Sequence, residues 1–281
     1  MLDRGADIFS SNSKGQTALH YACKQGAIPI MKDLLDKGCS ISTPDHDGLS
    51  ALHSAVCAGQ TETVQAIFRM DENLARSYCS DVDAQGRTLL HHLMQSESNF
   101  TELAELLFTY GASPSCTDND GHTPLSTYLG TFKFGNRTAT CRFLLQHGSN
   151  PYWANSAGLT LAHLAVRQYN AEPEVLEALS DYGLDLSIKD ASGKGILHHG
   201  GIGGSLSSDI LNFLHHRNLL DPYDRDVDGK APLDYASAEA QKERHPDLFC
   251  GLRWESSLKA LQDFIEMKCL LTDDHQTQYC Q

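Results

Sequence analysis

The stretch Lys14-Gly15-Gln16-Thr17-Ala18-Leu19-His20-Tyr21-Ala22 decides the fold, because the chain repeats its pattern of Gly, Thr or Ser, an apolar pair and His. The glycines that open the copies are Gly15, Gly48, Gly86, Gly121, Gly158, Gly193 and Gly229. Successive glycines lie 33, 38, 35, 37, 35 and 36 residues apart. Self-similarity at such a period indicates an array of short repeats that bury their apolar faces against one another.

A period near 33 residues around a Thr-Pro-Leu-His core resembles the ankyrin repeat. The copy at Gly121-His122-Thr123-Pro124-Leu125 carries most of that core, and the resemblance covers about residues 1–240. It implies an all-α solenoid of stacked helix–turn–helix units with projecting hairpins, called fingers. It also implies the C-terminal part of a larger ankyrin-array protein, because the chain begins in the middle of a repeat.

The spacing predicts four segments along the chain. Residues 1–11 would end a truncated preceding repeat, and residues 12–240 would form about seven repeats, of which the last is atypical. Residues 241–269 are predicted to form a capping loop and helix, with Leu258, Leu261, Phe264 and Ile265 on the apolar face of a helix over 254–268. Residues 270–281 are polar and predicted to be a flexible tail.

Composition excludes several classes of function. A net charge of −14 and the lack of any Lys/Arg run argue against nucleic-acid binding, which needs a basic stripe. No apolar run approaches the ~18 residues of a membrane span. The nine cysteines are scattered without C-x-x-C spacing, so we expect reduced thiols, a cytoplasmic or nuclear location rather than secretion, and no metal or other cofactor.

Three copies depart from the pattern. The second carries extra residues from Asn73 to Ser80, and the fourth is longer from Gly130 to Thr138, a run that includes Phe132 and Phe134. In the sixth, four glycines lie within Gly200 to Gly204, where the first helix should run. Glycine costs about 1 kcal/mol relative to alanine in a helix interior, so we expect this helix to be short or distorted.

The resemblance implies a structural role for the motif threonines and histidines, with each ring bonding the backbone and the neighbouring Thr or Ser. These residues are Thr17, His20, His53, Thr88, His91, Thr123, Thr160, His163 and His198. It likewise implies that the finger residues Asp45, Asp83, Asp118, Asp190 and Asp226 brace adjacent fingers. The alternative for the histidines is a ladder of metal ligands, but no His/Cys spacing brings ligands together locally.

We predict partner contacts across the third to sixth copies, where the exposed positions carry charged residues and histidines in place of the small polar residues that the resemblance implies. These residues are Arg87, His92, Asp120, His122, Arg167, Lys194 and His199. They mix both charge signs, which suits a polypeptide better than a polyanion. The glycines of the sixth copy would remove bulk from the same face. The alternative for any single residue is solvated surface.

Three hypotheses of function remain open. The first is a non-catalytic, monomeric scaffold that binds a protein or peptide in the concave groove of fingers and first helices. The second is a sensor or regulatory array of a larger multidomain protein, such as a nucleotide-driven receptor. The third is an enzyme or small-molecule binder that uses the groove.

Overall fold

The computed structural model describes residues 7–96, 100–131, 136–168, 171–242 and 251–272. Helices account for its regular structure, with only two isolated β-bridges among these residues, Ser11 to Thr17 and Ala154 to Thr160. The helices are α1 Ala18–Lys24, α2 Ile28–Asp36, α3 Ala51–Cys57, α4 Thr61–Met70, α5 Glu72–Ser80, α6 Leu89–Gln95, α7 Phe100–Thr109, α8 Pro124–Gly130, α9 Arg137–Gln146, α10 Leu161–Val166, α11 Pro173–Asp181, α12 Ile196–Gly203, α13 Ser208–His216, α14 Pro232–Lys242 and α15 Gly251–Thr272. The predicted all-α fold is confirmed.

The helices fall into two compact units. One comprises Met1–Tyr128 with Gln146–Ser149, and the other comprises Leu129–Leu145 with Asn150–Gln281. We call them the first and second units.

In the first unit the first helices of successive copies stack, with α3 packed between α1 and α6. Each helix sends an apolar residue at the same motif position into the core, and Leu19, Leu52 and Leu90 are all buried. Their second helices, α2, α4 and α7, pack on the first helices of their own copies. Because each layer buries its face only against its neighbours, the sum of layer interfaces sets the stability.

In the second unit, α10, α12 and α14 stack in the same way, and the long α15 packs on α14, α13 and α12. Leu261 and Phe264 of α15 are buried, and Leu258 and Ile265 are half-buried. The predicted terminal helix therefore lies within α15, which continues to Thr272, into the segment predicted as tail. The rest of the predicted tail, and residues 243–250 of the predicted capping loop and helix, lie outside the described residues.

Five of the second helices, all except α4, end where the backbone turns left-handed. Gly183 follows α11 with φ 93°, and its glycine counterparts in three other copies have nearly the same φ. Asn218 holds this position after α13 with φ 57°. Glycine adopts this conformation without a steric penalty, and asparagine is the next-best residue.

The extra residues of the second copy form a helix of their own, α5. Asp71 caps it, since its Oδ1 accepts the backbone N–H groups of Asn73 and Leu74 at 2.9 and 3.1 Å. Ala75 and Cys79, one turn apart, are its buried residues. The long stretch of the fourth copy with Phe132 and Phe134 lies outside the described residues.

The prediction of a short or distorted helix in the sixth copy is wrong. Helix α12 runs for 8 residues and is followed by Gly204, whose backbone is left-handed. Its glycines make room for other backbone segments: a Cβ at Gly203 would lie 2.6 Å from the carbonyl carbon of Arg167, and one at Gly201 would lie 2.8 Å from the carbonyl oxygen of Pro232. The absence of side chains at Gly201 and Gly203 thus allows α12 to pack closely against these backbone segments.

Candidate partner-binding face

Each finger is built on one carboxylate or amide. In the second copy, Oδ1 of Asp45 accepts the backbone N–H groups of Asp47 and Leu49 at 3.0 and 2.9 Å. The other copies repeat this arrangement of two bonds to the residues two and four positions later, with Asn12, Asp83, Asp118, Asn155, Asp190 and Asp226 as the acceptors. The bonds fix the hairpin that presents the fingertip.

Neighbouring fingers are joined through their backbones within each unit. In the first unit, His46 N–H donates to the carbonyl of Lys14, and Asn119 N–H donates to that of Gln85, both at 2.9 Å. In the second unit, Ala191 and Val227 donate in the same way to Ala157 and Ser192 at 2.9 and 3.0 Å. We use the term finger face for the fingers together with the first helices of one unit.

The motif histidines attach the fingers to the helices. In the third copy, Nδ1 of His91 accepts the backbone N–H of Thr88 at 3.1 Å and lies 2.9 Å from the Thr88 hydroxyl. Its Nε2 lies 2.9 Å from the carbonyl of His122 in the next finger. His20 and His198 make the same link to the carbonyls of Leu49 and Lys230.

Three of the first five copies vary this link. Nδ1 of His53 and of His163 accepts the N–H of Ser50 and of Thr160, but their Nε2 atoms have no hydrogen-bond partner among the described residues. In the fourth copy Ser126 replaces the histidine, and its hydroxyl accepts the N–H of Thr123 at 2.8 Å. These motif residues thus link a loop to a helix.

His92 and His199 are buried, so the prediction that they are exposed partner contacts is wrong. Their residues are 4% and 3% exposed. Nε2 of His92 lies 2.9 Å from Oδ2 of Asp83, and Nε2 of His199 lies 2.9 Å from Oδ2 of Asp190. Each follows the motif histidine by one residue, which turns its ring towards the finger carboxylate of its own copy.

Burial also depresses the basicity of both rings. Burial, then the charge of Arg87, lowers the pKa of His92, although Asp83 opposes the shift. Burial and the neighbouring His163 lower the pKa of His199 to about 4. Both rings are therefore neutral at physiological pH and donate to their carboxylates as neutral imidazoles.

The other predicted contacts of the first unit remain accessible. Arg87 is half-buried, with its Nε donating to Oδ2 of Asp83 at 2.9 Å and its Nη2 to Oε1 of Gln85 at 3.0 Å. The Asp120 side chain is exposed, and that of His122 is 40% exposed. Ligand atoms of Asp118, Asp120 and His122 lie within 4.8 Å of one another, close enough to share a divalent cation, but Oδ1 of Asp118 already accepts two backbone N–H groups.

In the second unit, Arg167 follows the end of α10 and is exposed, with no ion pair to any residue that the structure describes. Lys194 is not free in the same way. Its Nζ lies 3.3 Å from Oδ2 of Asp226 and 5.4 Å from the ring centroid of Tyr235. The sixth-copy glycines pack against Arg167 and Pro232, so the prediction that they clear space for a ligand is wrong.

A family model described as ankyrin repeats (3 copies) matches residues 1–77 and 90–190, more than half of the chain. The chain belongs to the ankyrin-repeat family. The ankyrin repeat domain of Bcl-3, a member of the IkappaB family, has a similar structure, with a TM-score of 0.57 and 22% identity over 76% of this chain and 88% of that one.

Two similar curated proteins are ion channels of Drosophila melanogaster. The ankyrin-repeat protein described here is 32% identical over 123 residues to the transient receptor potential channel pyrexia, a match to 43% of this chain and 12% of the channel. It is 26% identical over 233 residues to the transient receptor potential cation channel subfamily A member 1, a match to 81% of this chain and 16% of the channel. The chain thus spans a small part of the length of these relatives.

Ankyrin repeats are in general protein–protein interaction modules and typically non-catalytic. In this ankyrin-repeat protein, no helix among the described residues is both long and apolar enough to cross a membrane.

Sequence reasoning missed one regular feature of the finger face. The finger Asp or Asn is followed nine residues later by a first-helix side chain that bonds to it in four copies. Besides Asp83 with His92 and Asp190 with His199, the pairs are Asn12 with Tyr21 and Asp226 with Tyr235. The recurrence of Asp or Asn and His or Tyr at this spacing was the signal. It adds Tyr21, a half-exposed aromatic ring, to the face of the first unit.

Proposed function

We propose that this chain is a non-catalytic interaction array that binds a protein or peptide partner on its finger faces. The observation that carries the proposal is the anchoring of the fingers. An Asp or Asn side chain fixes each hairpin, and in the first to sixth copies a motif His or Ser ties the loop to the first helix. Such anchoring presents fingertip side chains from a preorganised backbone, which lowers the entropic cost of binding. A monomer in a cytoplasmic or nuclear setting forms part of the proposal.

The contacts that we assign follow from accessibility. Arg167 is exposed and without an ion pair to the described residues, Asp120 is exposed, and His122 is partly so. Tyr21 offers the amphipathic ring that binding hot spots favour. Arg87 and Lys194 hold finger carboxylates and act mainly as supports, while His92 and His199 act from beneath the face.

The experiment compares matched variants for a partner recovered from cell extract. Immobilised wild type and Arg167→Ala are incubated with extract, and the retained proteins are identified by mass spectrometry. Affinity for the recovered partner is then measured by calorimetry. We expect Arg167→Ala to weaken binding by more than about tenfold, about 1.4 kcal/mol, with an unchanged melting curve.

Lys32→Ala is the control, because Lys32 is an exposed cation on α2, away from the fingers. Equal losses from Arg167→Ala and Lys32→Ala, or no loss from either, contradict the finger-face proposal. A retained metabolite without a retained protein would support a small-molecule binder instead. Arg87→Ala is a poor probe of binding, since it also removes the ion pair with Asp83 and lowers stability.

A second candidate function is a regulatory array within a longer protein. The small share of the relatives' length that the chain spans, 12% and 16% for the two channels, favours it. Sequencing of full-length transcripts tests it. An open reading frame that continues into another domain supports this candidate, and one that encodes the repeats alone contradicts it.

A further inference from the structure

Two of the boundaries that have a motif histidine lack the link that three others share. His20, His91 and His198 each reach a carbonyl of the following finger through Nε2, at 3.0, 2.9 and 3.2 Å. His53 and His163 make no such bond. In both cases the next copy carries a second histidine directly after its motif position, His92 or His199. The ring of that second histidine contacts the motif ring of His53 or His163.

In the first unit the pair is His53 of α3 and His92 of α6. Their ring centroids lie 5.1 Å apart with the planes at 85°, and the residues are 7% and 4% exposed. His92 donates from Nε2 to Asp83, which also binds Arg87. Nε2 of His53 is buried without a partner among the described residues.

In the second unit the pair is His163 of α10 and His199 of α12. The ring centroids lie 4.6 Å apart, and both residues are buried. Two ring nitrogens, Nδ1 of His199 and Nε2 of His163, meet no partner with hydrogen-bond geometry among the described residues. Burial lowers the pKa of His163, and the backbone of Ile188 opposes that shift. The arrangement of the first unit is thus repeated independently.

The position of the protons makes the motif ring of each pair sensitive to acid. His20 and His91 also accept an N–H on Nδ1, but their Nε2 atoms hold a carbonyl of the next finger, a bond that the paired rings lack. Because Nδ1 of His53 accepts the N–H of Ser50, the neutral ring carries its proton on Nε2. A second proton must go to Nδ1, which removes that acceptor and breaks the link between loop and helix. His163 has the same constraint, since its Nδ1 accepts the N–H of Thr160.

We infer that the pairs His53–His92 and His163–His199 are proton-operated joints: a proton taken up from solvent charges one ring, ends its contact with the other, and separates two adjacent repeats. This inference does not depend on the identity of a binding partner. It goes beyond the proposed function because it makes the packing of the repeats that carry the finger faces depend on pH.

The charged groups around each pair do not compensate for a second proton. His53 faces His92, Asp45, Asp83 and Arg87, and burial, followed by His92, lowers the pKa of His53 to about 4. The two carboxylates raise it by less. In the other joint, His199 faces His163, Arg167 and Asp190.

His92 and His163 also face charged groups. His92 faces Arg87, Asp83 and His91, and burial is the largest cause of its lowered pKa. His163 faces Asp190 and Arg167, and burial again lowers its pKa most.

Hydrogen exchange of the wild-type chain at pH 7.5 and 5.5, corrected for intrinsic rates, tests the inference. One proton taken up with an open-state pKa near ~6.5 raises the open population about tenfold between these values. We therefore expect a rise of about tenfold in α3 and α6, and in α10 and α12. Helix α1, whose His20 bonds to Leu49, is the internal reference and should rise by less than about threefold.

The chain provides natural replacements for both rings of the first joint. Ser126 takes the motif position in the fourth copy, and Tyr235 donates to the finger carboxylate in the seventh. The variant His53→Ser/His92→Tyr should lose the acid-induced rise in α3 and α6 and keep it in α10 and α12. His20→Ser, the same motif change at an unpaired boundary, should keep both.

If the double variant does not fold, histidine NMR titration of the wild type decides. We expect the rings of His53 and His199 to stay neutral to below about pH 5. Ordinary titration near ~6.5 for both, or an equal exchange response in α1, α3 and α6, overturns the inference. So does a double variant with the same exchange ratio as the wild type.

Discussion

At the residue scale, a motif histidine joins a loop, a first helix and the next finger. His91 is fully buried and links Thr88, in the loop before α6, to the carbonyl of His122 in the next finger. We predict that His91→Ala lowers the free energy of unfolding by about 1–2 kcal/mol, because buried donors and acceptors lose their partner. Urea denaturation at pH 7.5 measures this loss.

The control for His91→Ala is His216→Ala, which removes an exposed ring of α13. A change within about 0.5 kcal/mol is expected there. Equal effects of the two substitutions would remove the structural role of the motif position. A strong rise in melting temperature with zinc or nickel that His91→Ala abolishes would favour a metal site instead.

The histidines also show how much of the site can be predicted from the sequence. The recurring Thr and His specify local bonds within three residues, so their role can be predicted from one copy. The burial of His92 and His199 depends on the direction in which the helix turns them towards Asp83 and Asp190. A lone histidine next to a motif does not reveal this contact, and only its spacing from the finger aspartate does.

At the scale of elements, α12 illustrates packing that propensity alone does not predict. Its glycines weaken the isolated helix, yet tertiary contact outweighs that preference. We predict that Gly203→Ala destabilises the chain by about 1–3 kcal/mol, since the new methyl group would overlap the backbone of Arg167. Thermal and urea unfolding measure the loss.

Gly130→Ala is the matched control, because a Cβ at Gly130 would have no heavy atom of the described residues within 4 Å. That substitution should be neutral or slightly stabilising at the end of α8. If Gly203→Ala were equally neutral, α12 would not need close approach at this point. Helix α5 shows the opposite case. The sequence indicates that residues 73–80 are an insertion but does not predict that they form a helix.

A second prediction at the scale of elements concerns the last helix, α15. Leu261 and Phe264 of α15 are buried, and the helix packs on α12, α13 and α14. We predict that a chain ending at about Glu243 has a lower melting temperature and aggregates, since it exposes the apolar surface that α15 covers. Scanning calorimetry and light scattering test this, and an unchanged melt with a clean monomer would argue against a capping role.

At the scale of the whole molecule, the buried histidines determine the response of stability to acid. Burial first, followed by charged neighbours, lowers the pKa of His53 and of His199 to about 4. Because the unfolded chain binds these protons with a pKa near ~6.5, the stability is complete above that value and falls as the pH drops from ~6.5 to ~4. The pKa values of Asp83 and Asp190 are also lowered: burial opposes the shift, but hydrogen bonds outweigh it.

Those carboxylates contribute stability that is present above their ordinary pKa of 3.8 and is lost only below it. The two groups of residues therefore act in successive ranges, the histidines first. We predict that the urea midpoint is nearly constant from pH 8 to 7, falls steeply between about pH 6.5 and 4, and continues to fall below that. Urea titrations at half-unit pH steps measure this curve. A midpoint that stays constant down to pH 4.5 would mean that the buried imidazoles accept protons without loss of stability, in conflict with their burial and, for His53, with the bond that its Nδ1 accepts from Ser50.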